Sequence, residues 1–421
     1  MKTKRDVSRG TPEMMFWRLF FAVFACFAPV VGGYCAAVEG PQAVSETARL
    51  TNVFYPEKLA AIDQTILQAI TNKETPGGVL WLERQGAVYV KSYGYRALIP
   101  AKELATVDTI YDAASLTKVL ATAPAIMILV ERGQLELDKP VSNWIPEFTG
   151  GEREKITLRH LLTHTSGLPS GLTRRNQLHD HASAVAQAVT ERINPSPGQA
   201  FRYSDVNFIL LGEIVRRVSG KPLNEFAMSE IFEPLGMKDT RYLPPAAWRE
   251  RIAPTEQTLR GVVHDPTARA MGGVAGHAGV FTTAADLARY CRMMLNGGEL
   301  DGRRVLKPET VKLMTSVQSP PEVKQRRGLG WDIDSPYAGP RGKVFPVGSY
   351  GHTGWTGPSM WIDPFSKTFV LFLCNRNHPD GKGNVVKLRS LLGTLAAEAV
   401  RNFDFTNVPG ALPRLQEPAK E

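Results

Sequence analysis

The chain is poor in cysteine, with four in 421 residues. Two of them, Cys26 and Cys35, fall in an N-terminal segment with the character of an export signal. The remaining pair, Cys291 and Cys374, cannot staple a disulfide scaffold and reads as two small buried hydrophobes. No dense basic run interleaved with aromatics occurs, which excludes nucleic-acid binding as the reading. His160 and His164 stand four apart, but no Glu-containing zinc motif accompanies them, so they read as structural histidines rather than metal ligands. The Gly-rich stretch from Gly272 to Gly279 lacks both a preceding strand and a phosphate-loop Lys-Ser/Thr; it reads as close backbone packing, not a nucleotide site. His179, Asp180 and His181, and likewise His264 with Asp265, read as loop polar residues. No Gly-x-Ser-x-Gly elbow is present, which removes the ordinary α/β-hydrolase. There is no internal repeat, and neither a metal nor an organic cofactor is expected.

What is present is ordinary globular material, 43% hydrophobic and 22% charged, without the charge excess of a disordered chain. Five basic residues against two acidic ones put +3 of the formal +9 into residues 1–37, leaving +6 for the rest. The N-terminus has a basic start, an apolar run from Met14 to Gly33 interrupted by Arg18, and then the small residues Ala36 and Ala37, the order of an export signal. Cleavage after Ala37 is the preferred reading, with an uncleaved anchor as the alternative. Tyr34 before Cys35 and Phe24 near Cys26 are bulky where a lipidation site wants small residues. The protein is thus expected in the periplasm or outside the cell, without stable membrane insertion after cleavage. The sequence does not indicate an oligomeric state.

Residues 38–54 read as a linker. Tyr55 to Thr71 carries Leu59, Ile62, Ile66, Leu67 and Ile70 at helical spacing. Val79 to Glu83 and Ala87 to Tyr93 read as strands about a Gln85-Gly86 turn. A broadly apolar helix opens at Ala114-Ser115 and stops at Gly133. Residues 134–260 are mostly helical segments, including Leu158 to Thr163 and Phe208 to Val218, and a further helix covers Ala285 to Leu295. Strands return at Gly328 to Ile333, Ser349 to Gly354, Ser359 to Ile362 and Thr368 to Cys374, before a final helix from about Val386 to Phe403. This order predicts an α/β fold: one sheet assembled from both chain ends, with a helical lobe inserted. The domain spans 55–405, and 406–421 reads as a loose tail.

Ser115-Leu116-Thr117-Lys118 is a Ser-x-x-Lys motif at the start of the buried helix. Residues three apart share one helix face, so the ammonium reaches the hydroxyl. A first-turn position leaves the serine N–H without an intrahelical partner and open to a developing oxyanion. Burial lowers a lysine pKa, which suits Lys118 to act as a neutral base toward Ser115. Alone, so short a motif carries little weight. In order after it come Tyr203-Ser204-Asp205, ahead of the apolar helix from Phe208, and His352-Thr353-Gly354 on a strand, followed by Trp355.

With these motifs the sequence resembles the serine β-lactamase and penicillin-binding-protein family, nearest its class C and its esterase and D-alanyl-D-alanine carboxypeptidase-like branches. Asp112 to Lys118, Gly133 to Val141, Ile156 to Leu168 and Gly276 to Phe281 also carry the resemblance, which covers roughly residues 55–403. It implies a β-lactamase/transpeptidase-like fold, an antiparallel sheet flanked by helices. It implies that Ser115 attacks a carbonyl to form an acyl-enzyme, and that Lys118 and Tyr203 share proton transfer. It further implies an oxyanion hole from the N–H groups of Ser115 and Trp355, with Thr353 and Gly354 along the substrate on an edge strand. Asp205 and His352 complete the expected substrate-binding set, and both depart from the family pattern. The second motif commonly ends in Asn, so Asp205 exchanges an amide donor for a charge. The third commonly begins with Lys, whereas a His is mostly neutral at pH 7 and gains charge toward about pH 6. Weak binding of carboxylate substrates near neutral pH, improving on acidification, is the expectation from His352.

The reading is an exported serine hydrolase acting through an acyl-enzyme on amide or ester bonds of D-amino-acid peptides or β-lactams, its partner a small-molecule or peptidoglycan-type substrate. A carboxylesterase with the same three residues is the rival in chemistry. A catalytically silent sensor of peptidoglycan fragments is the rival from another class. Binding alone needs no nucleophile, so the joint presence of Ser115, Lys118 and Tyr203 disfavours the sensor.

Overall fold

In the computed structural model the described residues are 46–415 apart from Thr258, so the expectations for residues 1–37 and 416–421 lie outside them. Residues 46–53, expected in a linker, form helix α1 (Glu46–Val53), and Phe54 then bridges Val400. Helix α2 (Pro56–Thr71) starts on the proline, which has no N–H to lose at a first-turn position. It buries Leu59, Ile62, Ile66 and Ala69, while Leu67 of the expected stripe is exposed.

The main sheet is antiparallel, with strands β1 (Gly77–Arg84), β2 (Ala87–Ala97), β3 (Glu103–Leu104), β4 (Arg326–Arg327), β5 (Asp332–Asp334), β6 (Tyr350–Thr353), β7 (Ser359–Asp363) and β8 (Thr368–Cys374). Their spatial order is β3-β2-β1-β8-β7-β6-β5-β4, so the two ends of the chain meet where β1 pairs β8. Both central strands are buried on both faces, as continuous apolar runs require. Alternation then divides their side chains. Val79, Leu371 and Leu373 join the core of the helical lobe, while Leu80, Leu82, Val370 and Phe372 pack with α2 and the C-terminal helix. Of the expected strand Gly328 to Ile333, only its end is paired, as β5.

The helix that opens the catalytic motif is irregular at its start. A 3₁₀ turn (Ala114–Leu116) passes into a π-helical turn (Lys118–Thr122) and then into α3 (Ala123–Glu131). Residues Ala114–Glu131 are long and apolar enough to cross a membrane, but 83% of that stretch is buried inside the fold, which marks a core helix. Helix α4 (Asp205–Ser219) begins three residues earlier than its apolar periodicity indicated, because Ser204 caps it by accepting from the Asn207 N–H at 3.3 Å. The final helix, α5, is Val386–Ala399. Beyond it the expected loose tail is held down as far as residue 415. The Leu412 N–H donates to the Val347 carbonyl at 2.8 Å, and Arg414 donates to Phe345 O at 3.0 Å.

Candidate active site

A small three-stranded sheet positions the nucleophile: Tyr111–Asp112 pairs with Val280–Thr282, which also pairs with Arg241–Tyr242. Asp112 ends its strand fully buried, with Oδ1 accepting from the Ala114 N–H at 2.8 Å and Oδ2 from the His264 N–H at 2.7 Å. Burial pushes this carboxyl up to about 6, against the pull of those two N–H groups. Its grip holds Ala114 at φ +47, a left-handed conformation that costs a non-glycine residue. Ser115 follows as the second residue of the 3₁₀ turn, its N–H outside the turn's hydrogen bonds.

Lys118 is fully buried, with two hydrogen-bond acceptors and one carboxylate around its ammonium. Nζ lies 3.2 Å from Ser115 Oγ, 3.1 Å from the His277 carbonyl and 2.8 Å from Asp205 Oδ1. An ammonium has three donors and no acceptor, so this set fits the charged form. Burial pulls the Lys118 pKa down, but Asp205 and Tyr203 more than offset it and the net direction is up. The neutral resting base expected from burial alone is therefore corrected: here Lys118 rests as an ammonium.

Asp205 was expected along the substrate. As the first residue of α4 it engages Lys118 instead, and it is not among the residues lining the pocket at Ser115. Tyr203 does line that pocket. Its ring stacks on His164 at 4.5 Å and lies over Lys118 Nζ, 4.9 Å from the centroid. His164, read as a structural histidine, lies directly beneath Tyr203. Its Nδ1 accepts from the Ser204 N–H at 3.0 Å, which puts the proton on Nε2. Burial, then Arg327 and Lys118, hold its pKa well below the ordinary histidine value.

Around Ser115 and Tyr203 a pocket of about 530 Å³ is lined by His352, Thr353, Gly354 and Trp355. Strand β6 is an edge only at this end, because its pairing to β5 runs through the single position Asp332↔Gly351. Gly354 is required by space: a Cβ there would lie 2.7 Å from Ala113 O and 3.2 Å from Ala114 Cβ. The loop carrying Trp355 thus rests directly on the nucleophile's turn.

His352 is 4% exposed, and its Nδ1 lies 2.9 Å from the Thr353 carbonyl, a contact only a ring N–H can make. Burial, then the charges of Arg327 and Lys118, hold its pKa well below the ordinary value. The expectation that it gains charge near pH 6 is overturned. Positive charge comes instead from residues that no motif indicated: Arg327, Arg376, Lys382 and Arg389 line the pocket against Asp332. Arg327 is fully buried with Nη1 3.0 Å from Asp332 Oδ2, whereas Arg376 and Arg389 have no ion-pair partner among the described residues. These side chains come from β4, the loop between β8 and α5, and α5 itself, and no motif spacing connects them.

His264 and Asp265, read as loop polar residues, are likewise structural parts of the site. Asp265 Oδ1 lies 2.9 Å from His277 Nε2, and ligand-capable atoms of Asp205, Asp265 and His277 lie within 4.8 Å of one another. Burial would raise the Asp265 carboxyl, but His277, the Ala268 N–H and Lys118 bring it below the ordinary range. With Asp205 on the ammonium and His277 on Asp265, the group serves charge balance around Lys118. The Gly-rich stretch behaves as read: a Cβ on Gly276 would sit 1.9 Å from Phe208 O. A larger cavity, about 1040 Å³, contains none of the catalytic motif residues and meets this stretch at Val274, Ala275 and Gly276.

The family model for Beta-lactamase matches residues 62–393. A relative from Escherichia coli (strain K12) named "Putative D-alanyl-D-alanine carboxypeptidase" is 31% identical over 366 residues, 77% of this chain and 84% of its own. Two solved structures share the fold. A penicillin-binding protein homolog from Caulobacter crescentus has TM-score 0.66 at 24% identity, covering 82% of this chain and 98% of its own. A family VIII carboxylesterase has TM-score 0.64 at 20% identity, with the same coverage of 82% and 98%. This chain belongs to the Beta-lactamase family and is one of its serine hydrolases.

Proposed function

We propose that the protein is an exported hydrolase of D-amino-acid peptides of cell-wall type, acylated on Ser115. The observation that carries this reading is the Ser115 Oγ to Lys118 Nζ contact of 3.2 Å on the wall of a pocket that also presents Tyr203, Thr353 and Trp355. Ser115 Oγ attacks the scissile carbonyl, and the N–H groups of Ser115 and Trp355 receive the oxyanion. The Tyr203 hydroxyl, beside the Lys118 ammonium, takes the proton from Ser115 as it passes its own proton to the leaving group. In the second half water takes the place of Ser115 in the same relay, its proton passing to Tyr203 as the Tyr203 proton returns to Ser115 Oγ and the acid is released.

A terminal carboxylate on the substrate suits the cationic side of the pocket, to which Arg327 and Lys382 contribute. The name of the Escherichia coli relative supports the same class. The carboxylesterase is the second reading, favoured by neutral His352 where the family commonly has Lys. A parallel rate screen of D-alanyl peptides, chromogenic cephalosporins and short-chain nitrophenyl esters separates them. Fastest kcat/KM on D-alanyl peptides is expected, and fastest turnover of neutral esters would replace the peptide reading. Export is tested by N-terminal sequencing of secreted material, expected to start near Val38.

A further inference from the structure

The loop from Gly354 to Pro358 is held by its carbonyls. Every one of the five accepts a hydrogen bond, and four of them accept from arginine side chains. Arg389 Nη2 donates to Gly354 O at 2.5 Å and to Pro358 O at 3.0 Å, and its Nε donates to Gly357 O at 3.2 Å. Arg376 Nε donates to Trp355 O at 2.7 Å, while the Arg376 N–H donates to Thr356 O at 2.8 Å. The Arg376 guanidinium also lies over the Trp355 ring, 4.5 Å from its centroid. Arg389 is half-buried, and packing pulls its pKa down to about 10. Neither guanidinium has a carboxylate partner among the described residues. Two neighbouring cations left unbalanced beneath one loop are costly, and serving the loop's own chemistry would account for keeping them.

The covalent connection is what gives Arg389 its role. The Gly354 carbonyl and the Trp355 N–H belong to the same peptide group. A cation bound at the oxygen draws electron density from the nitrogen end and strengthens that N–H as a donor. It also fixes the orientation of that peptide, beside the turn of Ala113 and Ala114 that a Cβ on Gly354 would meet. We propose that Arg389 is a positioning residue for the oxyanion hole, aiming and polarising the Gly354–Trp355 peptide so that the Trp355 N–H stabilises charge developing on the substrate oxygen. Arg376 grips the next peptide, Trp355–Thr356, whose N–H is not the proposed donor. It is therefore an internal control on the same loop with the same charge.

This inference rests on the acyl-enzyme reading above, and its test separates the two. Wild-type protein is first labelled with a fluorophosphonate to establish Ser115 as the acylated residue. Wild type, Arg389→Met, Arg389→Lys and Arg376→Met are then acylated by a nitrophenyl ester carrying an isotope-labelled carbonyl. The acyl carbonyl stretch is read by infrared difference spectroscopy beside kcat and KM. Removing an oxyanion-hole donor outright costs about 10²–10³ in kcat, so weakening one through its carbonyl is expected to cost about tenfold with KM little changed. In Arg389→Met the carbonyl stretch should move to higher frequency, in Arg389→Lys less far, and in Arg376→Met not at all. Should Arg389→Met fail to fold, Arg389→Lys against wild type decides, with a partial kcat loss and an intermediate shift expected. An unmoved carbonyl stretch in the Arg389 variants, or an equal shift in Arg376→Met, overturns the role of Arg389 alone. No label on wild-type Ser115 overturns the acyl-enzyme reading and this inference with it.

Discussion

Lys118 Nζ sits 2.8 Å from Asp205 Oδ1, so the lysine that contacts the nucleophile is itself held by a carboxylate at the start of α4. Burial alone would favour the neutral amine, and the carboxylate reverses that preference. Replacing Asp205 with Asn keeps the shape and removes the charge, so burial acts unopposed and the Lys118 pKa falls. Lys118 is raised in the fold, so its stabilising contribution is present below its ordinary pKa of 10.5 and lost as pH rises through the higher folded value. Asp205→Asn should lower stability by about 1–3 kcal/mol, less than the ~3–5 of a fully buried pair because part of Asp205 meets water. Its alkaline limb of kcat/KM should begin at lower pH than in wild type. An alkaline limb that stays in place would show that the ammonium form is not what the reaction uses.

Lys118→Ala and Tyr203→Phe should each reduce kcat by about 10²-fold or more, the usual scale for general acid–base groups. The Lys118 ammonium lies over the Tyr203 ring and the two serve one transfer, so the double variant should lose far less than the product of the single losses. Single-turnover acylation rates on the four proteins measure this directly. Independent, small effects would place proton transfer elsewhere.

Much of the frame was legible from period and punctuation. Val79 to Glu83 and Thr368 to Cys374 read as strands because they are short apolar runs bounded by turns, and both are central strands. Ser115, Lys118 and Tyr203 were legible because they lie in compact motifs. Asp265, Arg327, Arg376 and Arg389 were not, since each comes from a different element and only the closing of the sheet brings it to the pocket or to Lys118. The charge state of Lys118 was misread for a related reason. Its burial is visible in the apolar helix around it, but the reach of Asp205 depends on α4 starting three residues earlier than the apolar pattern suggested. Strands of two or three residues, such as β3, β4 and β5, are too short to carry a period at all.

With His352 held neutral well below its ordinary pKa, preference for carboxylate over neutral substrates should be flat between about pH 7.5 and pH 6. An acid limb is expected from Asp112, whose carboxyl burial raises to about 6. Ionised, it accepts from the Ala114 and His264 N–H groups and sets the turn before Ser115. Protonation turns one acceptor into a donor facing an N–H, so acylation should slow as pH falls through about 6. Stability runs the other way: a raised carboxyl favours the fold most below its ordinary pKa of 3.8, and that contribution is lost as pH rises toward 6. Acylation rates against pH for wild type, Asp112→Asn and His352→Gln decide the assignment. The limb should vanish in Asp112→Asn, at a low plateau, and persist in His352→Gln; loss of the limb in the His352 variant would return the titration to that residue.

Gly354→Ala tests whether the Trp355 loop must rest on the nucleophile's turn. The backbone of Gly354 is not in the left-handed region, so alanine is not excluded by conformation. The obstacle is space: the new methyl would lie 2.7 Å from the Ala113 carbonyl, which is backbone and cannot swing aside, and 3.2 Å from Ala114 Cβ. Relief has to come from a shift of the loop or of the turn, and overpacking of this kind costs about 1–3 kcal/mol. The loop is tied to α5 and β8 through Arg389 and Arg376, while the turn is tied to Asp112, so the displacement divides between two anchored segments. An oxyanion donor displaced by even a fraction of an ångström loses much of its stabilisation, because the hydrogen bond it makes is short and directional. Gly354→Ala should therefore remain folded, bind product with little change, and lose at least about tenfold in kcat. Measured kcat and KM on a nitrophenyl ester, beside the thermal midpoint, provide the check. A variant that is destabilised as expected yet turns over at the wild-type rate would show that the Trp355 N–H is not a donor to the oxyanion.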